Sequence, residues 1–146
     1  MGIVDKKWQV YLAGKMGGLS FDDMNEWRKD AKAKLLSLSS YTGYKCSVIN
    51  PVDFYNFEKV EYQNKEEVMD YDLFHVENSD FLIVNANGLT DSIGTVIEVY
   101  NAWTHKIPVF VFGKYENEHP WITRCITRFE PDIESIIKYL RDFYFV

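Results

Sequence analysis

The segment "DFLIVN", positions 80 to 85, is apolar at nearly every residue, and "KIPVFVFG" at 106 to 113 repeats the pattern. A strand with one face in water alternates apolar and polar residues, so an unbroken apolar run marks a strand covered on both faces, as in a parallel sheet between helices. "WQVYLA" (8 to 13) and "YKCSVI" (44 to 49) read as two further strands, stopped by Gly14 and by Asn50-Pro51. Helical spacing fills the intervals. Phe21, Met24, Trp27, Ala31, Leu35 and Leu38 recur along 21 to 38, Val68, Tyr71, Leu73 or Phe74 and Val76 along 65 to 79, and Ile133, Ile136, Ile137 and Leu140 after Pro131, which suits a first helical position. A further helix is expected from about Gly94 to Thr104, and "HPWITRCITRFE" (119 to 130) supplies a short helix and a fifth strand.

Strands alternating with helices predict an α/β doubly wound parallel sheet of about five strands, because right-handed crossovers place helices on both faces, and 2-1-3-4-5 is the strand order expected for it. Such a sheet takes ligands beyond the carboxyl ends of its strands, at the switch point between the first and third. The loops at 14 to 20, 50 to 60 and 86 to 95 therefore surround the expected site.

With 146 residues the chain matches a single domain, 1 to 146, and 47% hydrophobic, 26% charged and 16% aromatic residues exclude a disordered polymer. A net charge of -6 provides no basic footprint for nucleic acid. The start "MGIVDKKWQVYLAG" lacks the apolar run of a signal peptide and no stretch is long enough to span a bilayer, so a cytoplasmic protein without a membrane partner is expected. Cys46 and Cys125 stand singly, and His75, His105 and His119 lack metal-ligand spacing. Neither metal nor cofactor is expected.

The stretch "NANGLTDSIGTVIEVYNAW" (85 to 103) holds a carboxylate with two readings. Thr95-Val96-Ile97-Glu98 fits a capping box, in which Thr95 and Glu98 satisfy backbone N–H groups at a helix start. Alternatively Glu98, about one turn into the helix leaving the third strand, points into the crevice.

"YLAGKMGGL" from Tyr11, "INPVD" at 49 to 53, an Asp at 70 or 72 ahead of "ENSDFLIVN", and "SIGTVIEVYNA" from Ser92 together resemble the nucleoside 2-deoxyribosyltransferase superfamily, including its nucleoside 5′-monophosphate N-glycosidase branch. The resemblance spans about residues 8 to 125. It implies a flavodoxin-like fold, a homo-oligomer with sites near subunit contacts, and cleavage of a base–(deoxy)ribose bond by a glutamate, here Glu98, with nucleoside or nucleotide and free base as small-molecule partners. On this reading Asp72, or alternatively Asp70, faces the base, Tyr11 orients the nucleophile, and Gly14, Lys15, Met16, Asn87, Ser92, Gly94 and Thr95 line the substrate site. The chemistry agrees, since a carboxylate stabilises or traps an oxocarbenium-like C1′ and a second acid protonates the leaving base. A helix N-terminus would favour the ionised form of Glu98. Phe54, Tyr55 and Phe57 are assigned as a lid over the base.

Ser92 stands where the free-nucleoside transferases often carry Asp, and Lys15 where they usually carry Pro; both suit a 5′-phosphate. The first loop lacks the Ser-x-Arg arrangement of the monophosphate enzymes, and Asp91 adjoins Ser92. Transfer of 2-deoxyribose between bases is placed ahead of two alternatives: hydrolysis of a (deoxy)nucleoside 5′-monophosphate, and noncatalytic nucleotide sensing on the same fold.

Overall fold

The computed structural model describes residues 7–54 and 65–146. Strands β1 (Lys7–Ala13), β2 (Lys45–Ile49), β3 (Phe81–Asn85), β4 (Val109–Phe112) and β5 (Arg128–Glu130) form one parallel sheet in the order β2-β1-β3-β4-β5. The chain is thus an α/β protein with the expected flavodoxin-like strand order. Helices α1 (Phe21–Thr42) and α5 (Ile133–Phe143) cover one face, while α2 (Lys65–Glu77), α3 (Ile93–Thr104) and the short α4 (Pro120–Arg124) belong to the other.

Alternation along the strands divides the core. Val10, Leu12, Phe81, Ile83 and Phe110 meet Ala31, Leu35 and Leu38 of α1 and Ile136 and Leu140 of α5. Tyr11, Ala13, Leu82, Val84, Val109 and Val111 meet Val76 of α2 and Val99 and Ala102 of α3. Tyr11 therefore faces the layer that contains Glu98. β3 is buried along almost its whole length and β1 from Val10 to Ala13, whereas the edge strand β2 is only half-buried.

Several boundaries differ from the sequence expectations. Helix α1 continues past Leu38 to Thr42, where Gly43 adopts φ +81° and donates its N–H to the Ser39 carbonyl; the left-handed residue that ends a helix is most readily glycine. Phe21, on the expected apolar stripe, is exposed. Pro131 is not the first helical residue of α5, because Asp132 takes the N-cap and its carboxylate accepts from the Ser135 N–H at 2.8 Å. The expected lid is described only at Phe54, which stacks on His75 and meets Tyr71 edge-on; Tyr55 and Phe57 lie outside the described residues. Among the described residues no helix is long and apolar enough to cross a membrane.

Candidate active site

A crevice of about 620 Å³ opens at the carboxyl end of the sheet, walled by the loop after β1, one side of α2 and the start of α3. Of the residues singled out in the sequence, Gly14, Lys15, Met16, Asp72, Ser92, Gly94, Thr95 and Glu98 all line it. Tyr11 does not touch the crevice directly, being fully buried behind Glu98. Asp70 and Asn87 are exposed and are not among the lining residues. Helical geometry separates the two aspartates: Asp72 shares the inward side of α2 with Val68 and Leu73, and Asp70 is turned outward.

The capping box is not formed. Helix α3 begins at Ile93, with Ser92 in the cap position, so Thr95 is already the third helical residue. Its hydroxyl pairs with Ser92 Oγ at 2.7 Å. Thr95, Glu98, Val99 and Ala102 form the buried stripe of the helix, at the spacing of a core-facing side. Glu98 is thus a carboxylate placed on an apolar stripe, and the Tyr11 hydroxyl donates to its Oε2.

That placement also overturns the expectation of a readily ionised Glu98. The carboxyl sits in the second turn, beyond the free N–H groups of the helix start, where the dipole has largely faded. Burial pushes its pKa from an ordinary 4.5 up to about 8. The hydrogen bond from Tyr11 opposes this rise, the charge of Asp72 adds to it, and Arg28 opposes it. The Tyr11 phenol is itself held well above its usual range, chiefly by burial and then by Glu98, and remains a hydrogen-bond donor.

Gly14 sets how closely helix and strand approach at this end. A Cβ there would stand 2.8 Å from Trp27 Cζ2 and 3.5 Å from Arg28 Nη2. Arg28 went unnoticed as a site residue, yet it is fully buried and donates to the Gly14 carbonyl at 3.0 Å. Its signal in the sequence is positional: residue 28 falls on the buried stripe of α1 with Met24, Ala31 and Leu35. Lys15 reaches the crevice across Gly88, whose φ of +68° and missing Cβ make room for the lysine stem. Asp91 lines the same crevice beside Ser92. Among the described residues no three potential metal ligands are grouped.

Fold and site together define an α/β protein with a buried, hydroxyl-held carboxylate at the switch point of a 2-1-3-4-5 sheet. No protein-family model matches the chain, and no curated protein matches it in sequence. Solved structures do match in fold. A 2-deoxyribosyltransferase from Bacillus psychrosaccharolyticus aligns over 90% of this chain and 91% of its own, at 20% identity and a TM-score of 0.60. A conserved protein from Enterococcus faecalis V583 aligns over 93% and 98%, at 15% identity and a TM-score of 0.73. The CMP N-glycosidase BcmB from Clostridium botulinum aligns over 93% and 99%, at 15% identity and a TM-score of 0.51. The resemblance read from the sequence to the nucleoside 2-deoxyribosyltransferase superfamily therefore holds at the level of the fold.

Proposed function

We propose that the protein is an enzyme of the nucleoside 2-deoxyribosyltransferase superfamily that cleaves the N-glycosidic bond of a (deoxy)nucleoside or nucleotide and passes the sugar to another base. The observation that carries this reading is the disposition of two carboxyls about one crevice, Glu98 held through Oε2 by Tyr11 and Asp72 contributed by α2. In the first half-reaction a Glu98 carboxylate oxygen bonds to C1′ while the C1′–N bond breaks and its electron pair leaves with the base. Asp72 delivers the proton that neutralises the departing base. In the second half-reaction the nitrogen of an incoming base displaces Glu98 from C1′ and gives its proton back. Tyr11 keeps the carboxylate oriented throughout, and attack uses the ionised form of Glu98.

Hydrolysis of a 5′-monophosphate is a second reading, favoured by Lys15, Ser92 and Gly94 on the crevice wall at the start of α3. Asp91 on the same wall weighs against it by repelling a phosphate. The shared fold is compatible with both, since one of the proteins that share it is a 2-deoxyribosyltransferase and another a CMP N-glycosidase.

The deciding experiment is a chromatographic screen of nucleosides and 5′-monophosphates, with and without an added free base. Base exchange with Glu98→Gln inactive is the expected result. Base release that ignores the acceptor would select hydrolysis, and binding with no bond cleavage would leave a noncatalytic nucleotide sensor.

A further inference from the structure

Arg28 is a buried cation with no carboxylate among its hydrogen-bond partners. Its guanidinium is fully buried, donating through Nη2 to the Gly14 carbonyl at 3.0 Å and through Nη1 to the Met24 carbonyl. Nε has no partner among the described residues. The guanidinium lies over the Trp27 ring, 4.6 Å from its centroid, and Trp27 in turn packs edge-on against Phe112 of β4. An arginine remains charged in such surroundings, and a charge taken out of water destabilises the fold unless an opposite charge answers it.

The group that carries the opposite charge once it ionises lies across the strand end. Arg28 projects from α1, while Glu98 comes from α3 on the other face of the sheet, and the end of β1 runs between them, with Tyr11 bonded to Glu98 and Gly14 to Arg28. We propose that Arg28 is a positioning residue whose buried guanidinium is the fixed countercharge of the Tyr11–Glu98 pair, stabilising the carboxylate from beyond the strand end without bonding to it. The two carbonyl bonds and the Trp27 ring hold the cation at a set separation, so it favours ionised Glu98 and leaves the carboxylate free to react.

The charges around Glu98 are consistent with this balance. Tyr11 faces it from β1 and Arg28 from α1, both lowering its pKa; Asp72 faces it from α2 and raises it. Glu98 is in turn the strongest charge partner of Arg28, whose own pKa burial lowers to about 10, still protonated at neutral pH. Lys15 and Asp91 complete the charged wall of the crevice from the loops.

The test reads Glu98 directly and needs no substrate, so it stands apart from the proposed enzymatic activity and fails separately from it. Carbon-detected titration of the Glu98 carboxyl in wild type, Arg28→Met and Arg28→Lys is expected to show the midpoint rising by about one unit or more in Arg28→Met, the usual effect of losing a nearby opposite charge, and much less in Arg28→Lys. In wild type the Arg28 Nε resonance should titrate with the Glu98 midpoint and become flat in the nearly isosteric Glu98→Gln. This second measurement decides the matter if Arg28→Met does not fold. An Arg28 signal indifferent to Glu98 ionisation, or a folded Arg28→Met with an unmoved midpoint, would overturn the proposal and reduce Arg28 to a tether for the Gly14 carbonyl. If nucleoside turnover is established, the acid limb of the rate profile should move to higher pH in Arg28→Met by the same amount.

Discussion

The hydroxyl of Tyr11 at the end of β1 donates to Oε2 of Glu98 in the second turn of α3, joining residues 87 positions apart in the chain. Both groups are buried, so the phenol takes the place of water in solvating the carboxylate. Removing it should therefore affect reactivity more than folding.

In Tyr11→Phe the ring still fills its place in the core cluster, and only the donor is lost. Loss of a hydrogen bond to a charged group is worth roughly 1.5 to 3 kcal/mol, so kcat should fall about ten- to a hundredfold. Because the bond lowers the Glu98 pKa, the acid limb of the rate profile should also shift upward. Unchanged kinetics in a folded Tyr11→Phe protein would remove Tyr11 from the mechanism.

Activity should rise with pH as Glu98 ionises, levelling off above about 8 in the free enzyme. Stability should run the other way. An acid whose folded-state pKa exceeds its unfolded one holds extra protons when folded, so its contribution is complete below about 4.5, declines between about 4.5 and about 8, and is absent above that range. Urea unfolding of wild type and Glu98→Gln across this range checks the sign, since only wild type carries the contribution. Parallel curves for the two proteins would show that Glu98 does not titrate abnormally.

Ser92 separates the two substrate classes. If it and the N–H groups near Gly94 hold a 5′-phosphate, Ser92→Ala should reduce kcat/KM for monophosphates about ten- to a hundredfold and barely change activity on free nucleosides. Ser92→Asp should push preference further toward the 5′-hydroxyl by setting a second carboxylate beside Asp91. A constant ratio of the two activities across all three proteins would make Ser92 only a helix-start residue bonded to Thr95.

Helix α3 is apolar on its outer side as well as its inner one. Ile93 is 78% exposed and Tyr100 57%, and Trp121 of α4, 81% exposed, shares an apolar groove with Val96, Ile97 and Tyr100. A helix apolar all round is ordinarily covered on every side. Homo-oligomer formation, which the family resemblance implies, should bury this surface. Light scattering should give at least a dimer at micromolar concentration, reverting toward monomer in Trp121→Glu. A wild-type monomer that retains full activity would refute a shared site.

The alternation of unbroken apolar runs with helical spacing was enough to assign the parallel sheet and the loops beside the site, because burial on two faces and the 3.6-residue period are local properties of a chain, whereas the expected order 2-1-3-4-5 is settled by the pairing of β1 with both β2 and β3. Most of the crevice wall was legible for the same reason: Gly14, Lys15, Ser92 and Gly94 follow directly from strand ends and helix starts. Tertiary structure decided the rest. Local spacing fitted Glu98 equally well to a cap and to a crevice; the start of α3 at Ile93 and the arrival of Tyr11 from a distant strand chose between them. Asp70 and Asp72 differ only in which way α2 is turned. Arg28 went unnoticed although its spacing places it on the buried stripe of α1, because its bearing on Glu98 depends on residues of two layers bonding to neighbouring positions at the end of β1. The protonation of Glu98 followed the same rule: it is governed by the loss of water, by a hydrogen bond from Tyr11 and by the charges of Asp72 and Arg28, and long-range burial of that kind leaves no trace in the spacing of neighbouring residues.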